Sequence, residues 1–188
     1  MKLLLVFMGF LVVFFACSPP NEVRIDEPLR QIEIQPTPEP TKPPIPIHIA
    51  EMTATELCDR IGQIQVIPTH DPTVTDPIYE SLLLKGNEAI PCLVEKIGND
   101  TLIKDPRYSV PTWHSYAVGD TALFVILRIL TKDDGKEWEK RLLESLPPKF
   151  RKEWETNGIY AYFNYVLEPK NRKELQRWWK TWLRNIKK

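Results

Sequence analysis

Glycine, histidine and cysteine are scarce in this chain: 188 residues hold seven glycines, three histidines and three cysteines. With so few, the familiar chemical signatures have no material. There is no glycine-rich phosphate loop, no HExxH, no paired CxxC and no GxSxG. The sequence therefore names no metal, no cofactor and no catalytic residue. His48, His70 and His114 lie far apart, and the one adjacent acid–imidazole pair, His70-Asp71, sits in a proline-containing loop where turn formation explains it. Glu80, Glu88 and Asp120 are acids on helical segments, and nothing in the sequence raises them above ordinary surface carboxylates. Also missing is a hydrophobic run of the roughly 20 residues that a membrane-spanning helix needs. Net charge is absent too, but only by cancellation. Residues 21–80 carry 4 basic and 11 acidic side chains, whereas residues 136–188 carry 14 basic and 7 acidic.

What is present begins with MKLLLVFMGFLVVFFAC followed by Ser18. One cationic residue, an apolar stretch over residues 3–15 broken only by Gly9, and a small residue before a cysteine resemble a bacterial lipoprotein signal with its lipobox. The resemblance implies removal of residues 1–16, lipid attachment at the Cys17 thiol with palmitate-type chains, and a place in the cell envelope. In a Gram-negative cell, Ser18 resembles the pattern that sorts to the outer membrane, facing the periplasm. Two or three acyl chains would make the attachment stable where one would not. An ordinary signal peptide cut near Ala16 or Ser18 and an uncut interfacial anchor are the alternatives.

The next segment, residues 17–50, holds nine of the 18 prolines and no glycine. Proline fixes φ and removes backbone donors, so the span reads as a disordered, proline-rich tether carrying the lipid at one end. Short alternating stretches (Val23-Arg24-Ile25, Gln31 to Ile34, Ile45 to Ile49) are the exceptions; they suit a sheet edge or a strand-like path along the domain.

Residues 51–188 are enough for one domain with its own core. Helix signals recur and strand signals are poor, which predicts an all-α fold. Thr53 to Glu56 has capping-box spacing and opens a helix predicted over residues 54–65. Asp76-Pro77 opens a second that ends at Gly86, and a third covers residues 88–97. A fourth, over residues 118–131, is apolar almost all round and belongs at the centre. Asp134 opens a fifth, stopped by Pro147-Pro148. A short one follows to residue 156, and residues 159–167 are read as helix. Pro169 reads as a break. Asn171 to Glu174 has capping-box spacing and opens the last helix, in which Leu175, Trp178, Trp179, Trp182, Leu183 and Ile186 form the clearest amphipathic pattern in the chain.

The run LLKGNEAIPCLVEKIGND, residues 83–100, resembles the helix–turn–helix unit of HEAT-like repeat proteins. Gly86 takes the turn, and Ala89, Ile90, Pro91, Leu93 and Ile97 take the positions of the second helix. Val118-Gly119-Asp120 with Ala122 and Leu123 resembles the beginning of the helix that follows. No second copy recurs at a fixed period, and residues 99–117 are too long for a repeat turn, so the expected architecture is a compact HEAT-like α-α domain. The family implies protein interaction or scaffolding.

The long connection supplies a candidate binding surface: Arg107, Tyr108, Trp113, His114 and Tyr116. The competing reading pins Trp113 and Tyr116 onto the domain. Five of six tryptophans follow residue 137; they suit either a glycan platform or, at helical spacing, the core. Lys170, Arg172, Lys173, Arg177, Lys180, Arg184, Lys187 and Lys188 form a basic C-terminal face that suits anionic lipid, wall polymer, the chain's own acidic half or solvent. Export excludes a nucleic-acid partner. With Cys17 lipidated, Cys58 and Cys92 are left as a disulfide or as two buried thiols. The sequence thus predicts a membrane-attached protein that binds an envelope protein or a cell-wall polymer. The alternative is a cell-wall-directed enzyme or glycan-binding module.

Overall fold

The computed structural model describes residues 44–66, 75–104, 115–132 and 134–186. Over these residues the fold is all-α. The elements are α1 (Ile47–Ala50), α2 (Ala54–Asp59), α3 (Pro77–Lys85), α4 (Ile90–Lys96), α5 (Val118–Thr131), α6 (Gly135–Ser145), α7 (Pro148–Asn157), α8 (Tyr160–Val166) and α9 (Pro169–Ile186). Turns of 3-10 helix follow α2 and α3. The short helix α1 lies within the span read as tether and packs against α3, so the folded part takes in the end of that span.

Local chemistry explains most boundaries. Thr53 accepts from the Glu56 N–H at 3.3 Å, and Glu56 returns the favour by accepting from the Thr53 N–H at 2.7 Å. The hydrogen bonds from Thr53 also hold the Glu56 carboxyl below its ordinary pKa. Asp76 accepts from the N–H groups of Ile78 and Tyr79 at the start of α3, and Asp134 does the same for Lys136 and Glu137 in α6. Gly86 closes α3 with φ +54°, a conformation that disfavours any residue with a Cβ.

Three boundaries differ from expectation. The first helix stops at Asp59 and continues as 3-10 turn, because Arg60 leaves the helical region with ψ near 0°. Pro169 does not break the chain but is the first residue of α9, where a missing N–H costs nothing. Asn171 is consequently inside the first turn and not its cap; its side-chain amide donates to the Tyr165 carbonyl at 2.8 Å.

Helix α5 is the axis of the domain. It packs on α3, α4 and α6, and Ala122, Leu123, Val125, Ile126 and Leu127 are wholly buried. Helix α4 also packs against α2 and against α9. The α9 stripe reaches the core through Leu175 and Trp179, while Trp178, Trp182 and Leu183 pack half-buried at its edge. Gln176 extends the contact by donating to the carbonyls of Val94 and Glu95, near the end of α4.

The approach of α5 to the end of α4 is very close. A Cβ on Gly119 would lie 2.2 Å from the Ile97 carbonyl oxygen and 2.9 Å from that of Asn99. Both obstacles are backbone. Gly119→Ala should therefore destabilise the domain by about 2–3 kcal/mol, in the range of a forced overpacking. Urea denaturation checks this, and a midpoint equal to wild type would show that α4 and α5 can separate freely.

Candidate functional site

The long connection between α4 and α5 is gathered at its base. The Ile103 N–H donates to the Tyr116 carbonyl at 2.8 Å, and the Val118 N–H donates to that of Thr101 at 2.8 Å. Leu102 and Ala117 form an isolated antiparallel bridge there. The Gly119 N–H donates to the Asn99 carbonyl, so two of the unpaired donors at the start of α5 are satisfied by the incoming chain. Of the five candidate surface residues, Tyr116 lies in this stem, half-buried, with its ring against Phe124 and Phe163. Arg107, Tyr108, Trp113 and His114 lie outside the described residues, as do Cys17 and His70.

Directly beneath the stem is a polar node that sequence reasoning did not assemble. Asp120, in the first turn of α5, is fully buried, and Arg172 of α9 is 8% exposed. Arg172 grips the carboxylate with two parallel bonds, one to Oδ1 at 2.7 Å and one to Oδ2 at 3.0 Å. The Tyr162 hydroxyl of α8 donates to Oδ1 at 2.6 Å, and the Ala117 N–H donates to Oδ2 at 2.8 Å. Each carboxylate oxygen thus accepts two bonds, and three helices meet at one charge. The α5 N-terminus adds its positive dipole end.

The electrostatics follow from burial. Removal from water pushes the Tyr162 hydroxyl well above its ordinary pKa, and the neighbouring Asp120 charge pushes the same way. Burial works against the Arg172 charge, but the hydrogen bond and charge of Asp120 outweigh it and raise that group above the usual arginine value. This arrangement corrects two expectations. Asp120 is not an exposed helix acid available for proton transfer. Arg172 is not part of a solvent-facing basic surface.

Cys58 of α2 and Cys92 of α4 are joined as a disulfide, with Cα atoms 6.1 Å apart. Among the described residues the tryptophans do not form an exposed row: Trp179 is buried between Trp178 and Trp182, and Trp154 donates from its indole N–H to Glu139 at 2.8 Å. A shallow, open depression of about 470 Å³ runs beside α6 and α7, lined by Lys136, Glu139, Lys140, Leu143, Glu144 and Arg151. Arg151 is already occupied there, donating to the carbonyls of Leu146 and Glu144 at the end of α6. Among the described residues no three His, Cys, Asp or Glu side chains cluster as metal ligands.

No family model, no curated protein and no solved structure matches this chain.

A signal for the node was present in the sequence. Arg172 stands three residues before Leu175 and seven before Trp179, on the apolar face of α9. Asp120 stands just before Ala122 to Leu127, an unbroken apolar run at the centre of its helix. A charge at such positions needs a buried partner, and here each is the other's. Arg172→Met should cost about 3–5 kcal/mol, because Asp120 is left buried and uncompensated. Asp120→Asn added to it should recover a measurable part of the loss in denaturant melts, and a double variant no more stable than Arg172→Met would refute the coupling.

The raised Tyr162 pKa has its own signature. Its contribution is fully present below about pH 10, where tyrosine in the unfolded chain keeps its proton, and is lost as pH rises beyond that value. Wild type should lose stability above that pH more steeply than Tyr162→Phe. Parallel alkaline profiles would count against it.

Proposed function

We propose that this chain is a lipid-anchored bacterial envelope protein whose helical domain serves as a protein-interaction or scaffolding module. The observation that carries the reading is Cys17, placed after a charged and apolar leader and before a proline-rich spacer. Two further observations support it. The Cys58–Cys92 disulfide suits an oxidising compartment. The segment that resembles a HEAT-like unit runs from α3 through Gly86 into α4, and its Ile90, Leu93 and Ile97 are buried.

In this reading the α5 axis and the Asp120 node form a rigid base under the α4–α5 connection, which presents Arg107, Tyr108, Trp113 and His114 to a partner protein. Metabolic labelling with a palmitate analogue should mark the wild-type protein and leave Cys17→Ala unmarked. Persistent labelling of the variant refutes the anchor. Crosslinking in intact envelopes should then yield a partner profile that Trp113→Ala loses, and identical profiles would remove the connection from consideration as the interacting surface.

A further inference from the structure

The two ends of the charge distribution lie on different helices. Exposed acids Glu51, Glu56 and Asp59 gather around α2, with Asp59 paired to Lys96 of α4. On α9, Lys170, Lys173, Arg177 and Arg184 are all exposed and fall at i, i+3, i+7 and i+14, one face of the helix. At 1.5 Å per residue this basic stripe is about 20 Å long.

Other cations of α9 are engaged elsewhere: Arg172 by Asp120 and Lys180 by Glu95. Among the described residues, Lys170 and Lys173 have no ion-pair partner. Arg184 donates to the Thr181 hydroxyl, and Glu174, the single acid of the stripe, lies 3.7 Å from Arg177. Trp178 and Ile186 lie elsewhere around the helix, Trp178 half-buried against the core and Ile186 on the same side as Leu175 and Trp179. A line of exposed cations interrupted by one acid is complementary to the phosphates at the surface of an anionic bilayer.

The chain's own acidic segment is a poorer match. Residues 21–43 carry five acids against three bases, a net of only two negative charges against the four cations of the stripe. We infer that the exposed face of α9 rests on anionic phospholipid headgroups. The inference builds on the lipid-anchor reading, which brings the domain to that surface.

Each cation near an anionic surface strengthens association about fivefold, so four of them act decisively once the chain is tethered. The full mature lipoprotein is incorporated into vesicles of phosphatidylcholine alone or with one-third phosphatidylglycerol, and lysine reactivity is read by amine footprinting and mass spectrometry. Lys170 and Lys173 should lose reactivity about fivefold or more in the anionic vesicles, relative to Lys85 of α3, and regain it in molar salt. Lys173→Glu with Arg184→Glu should abolish the protection at Lys170 while the circular dichroism spectrum is unchanged.

Equal reactivity in both vesicles overturns the inference. So does salt-sensitive protection in both, which would assign the stripe to the chain's own acidic segment. Flotation separates the two readings. Protein that floats with both vesicle types and shows no protection keeps its anchor and loses the docking face. Protein that floats only with anionic vesicles, through α9, supports the docking face and overturns the anchor.

Discussion

A buried carboxylate with four donors organises this domain. Asp120 could not enter the interior alone, because an unpaired charge there carries a penalty of several kcal/mol. Its position in the first turn of α5 supplies one backbone donor, Ala117. The remaining three bonds must come from elsewhere, and their sources fix the geometry. Tyr162 sets where α8 passes, and the two-pronged grip of Arg172 sets both the distance and the rotation of α9. Apolar packing around α5 would tolerate several helix rotations, but a fork aimed at one carboxylate tolerates far fewer. The node thereby adds direction to a core whose cohesion is otherwise non-directional.

Two contacts of a different kind brace the other half. The disulfide holds α2 to α4, and the missing side chain at Gly119 lets α5 press onto the carbonyls at the end of α4. Helix α4 is thus fixed on two sides, and through Gln176 on a third. The base of the α4–α5 connection lies where these restraints converge: its backbone is paired across Leu102 and Ala117, and Tyr116 is set among Phe124 and Phe163. The chain that leaves and re-enters this point does so from a well-braced platform.

Much of the helical order was legible because it was written locally. Val118 to Thr131 matched its expected limits, since an all-round apolar helix has one place to go and a polar residue at each end marks it. Asp76 and Asp134 announced themselves as caps in the same way. The errors arose where one residue type carries two meanings. Pro169 can end a helix or begin one, and only the tertiary course of α9 decides. Asn171 resembled a cap but answers a carbonyl of the preceding helix. Arg172 was counted among the surface cations by composition, although its register with Leu175 and Trp179 placed it inside. The partners of the node are 42 and 52 residues from Asp120, beyond any local pattern. Of the candidate surface, Tyr116 alone can be located, in the stem of the connection.

The distance along the chain between Asp120 and Arg172 also bears on the order of biosynthesis. A polypeptide emerging from its N-terminus exposes α5 long before α9 exists, and during that interval the carboxylate has no guanidinium to enter the interior with. Completion of the core must wait for nearly the last turns of the molecule. A chain cut short before α9 would leave the Asp120 carboxylate without its guanidinium, so the central helix depends on the last one for its own burial.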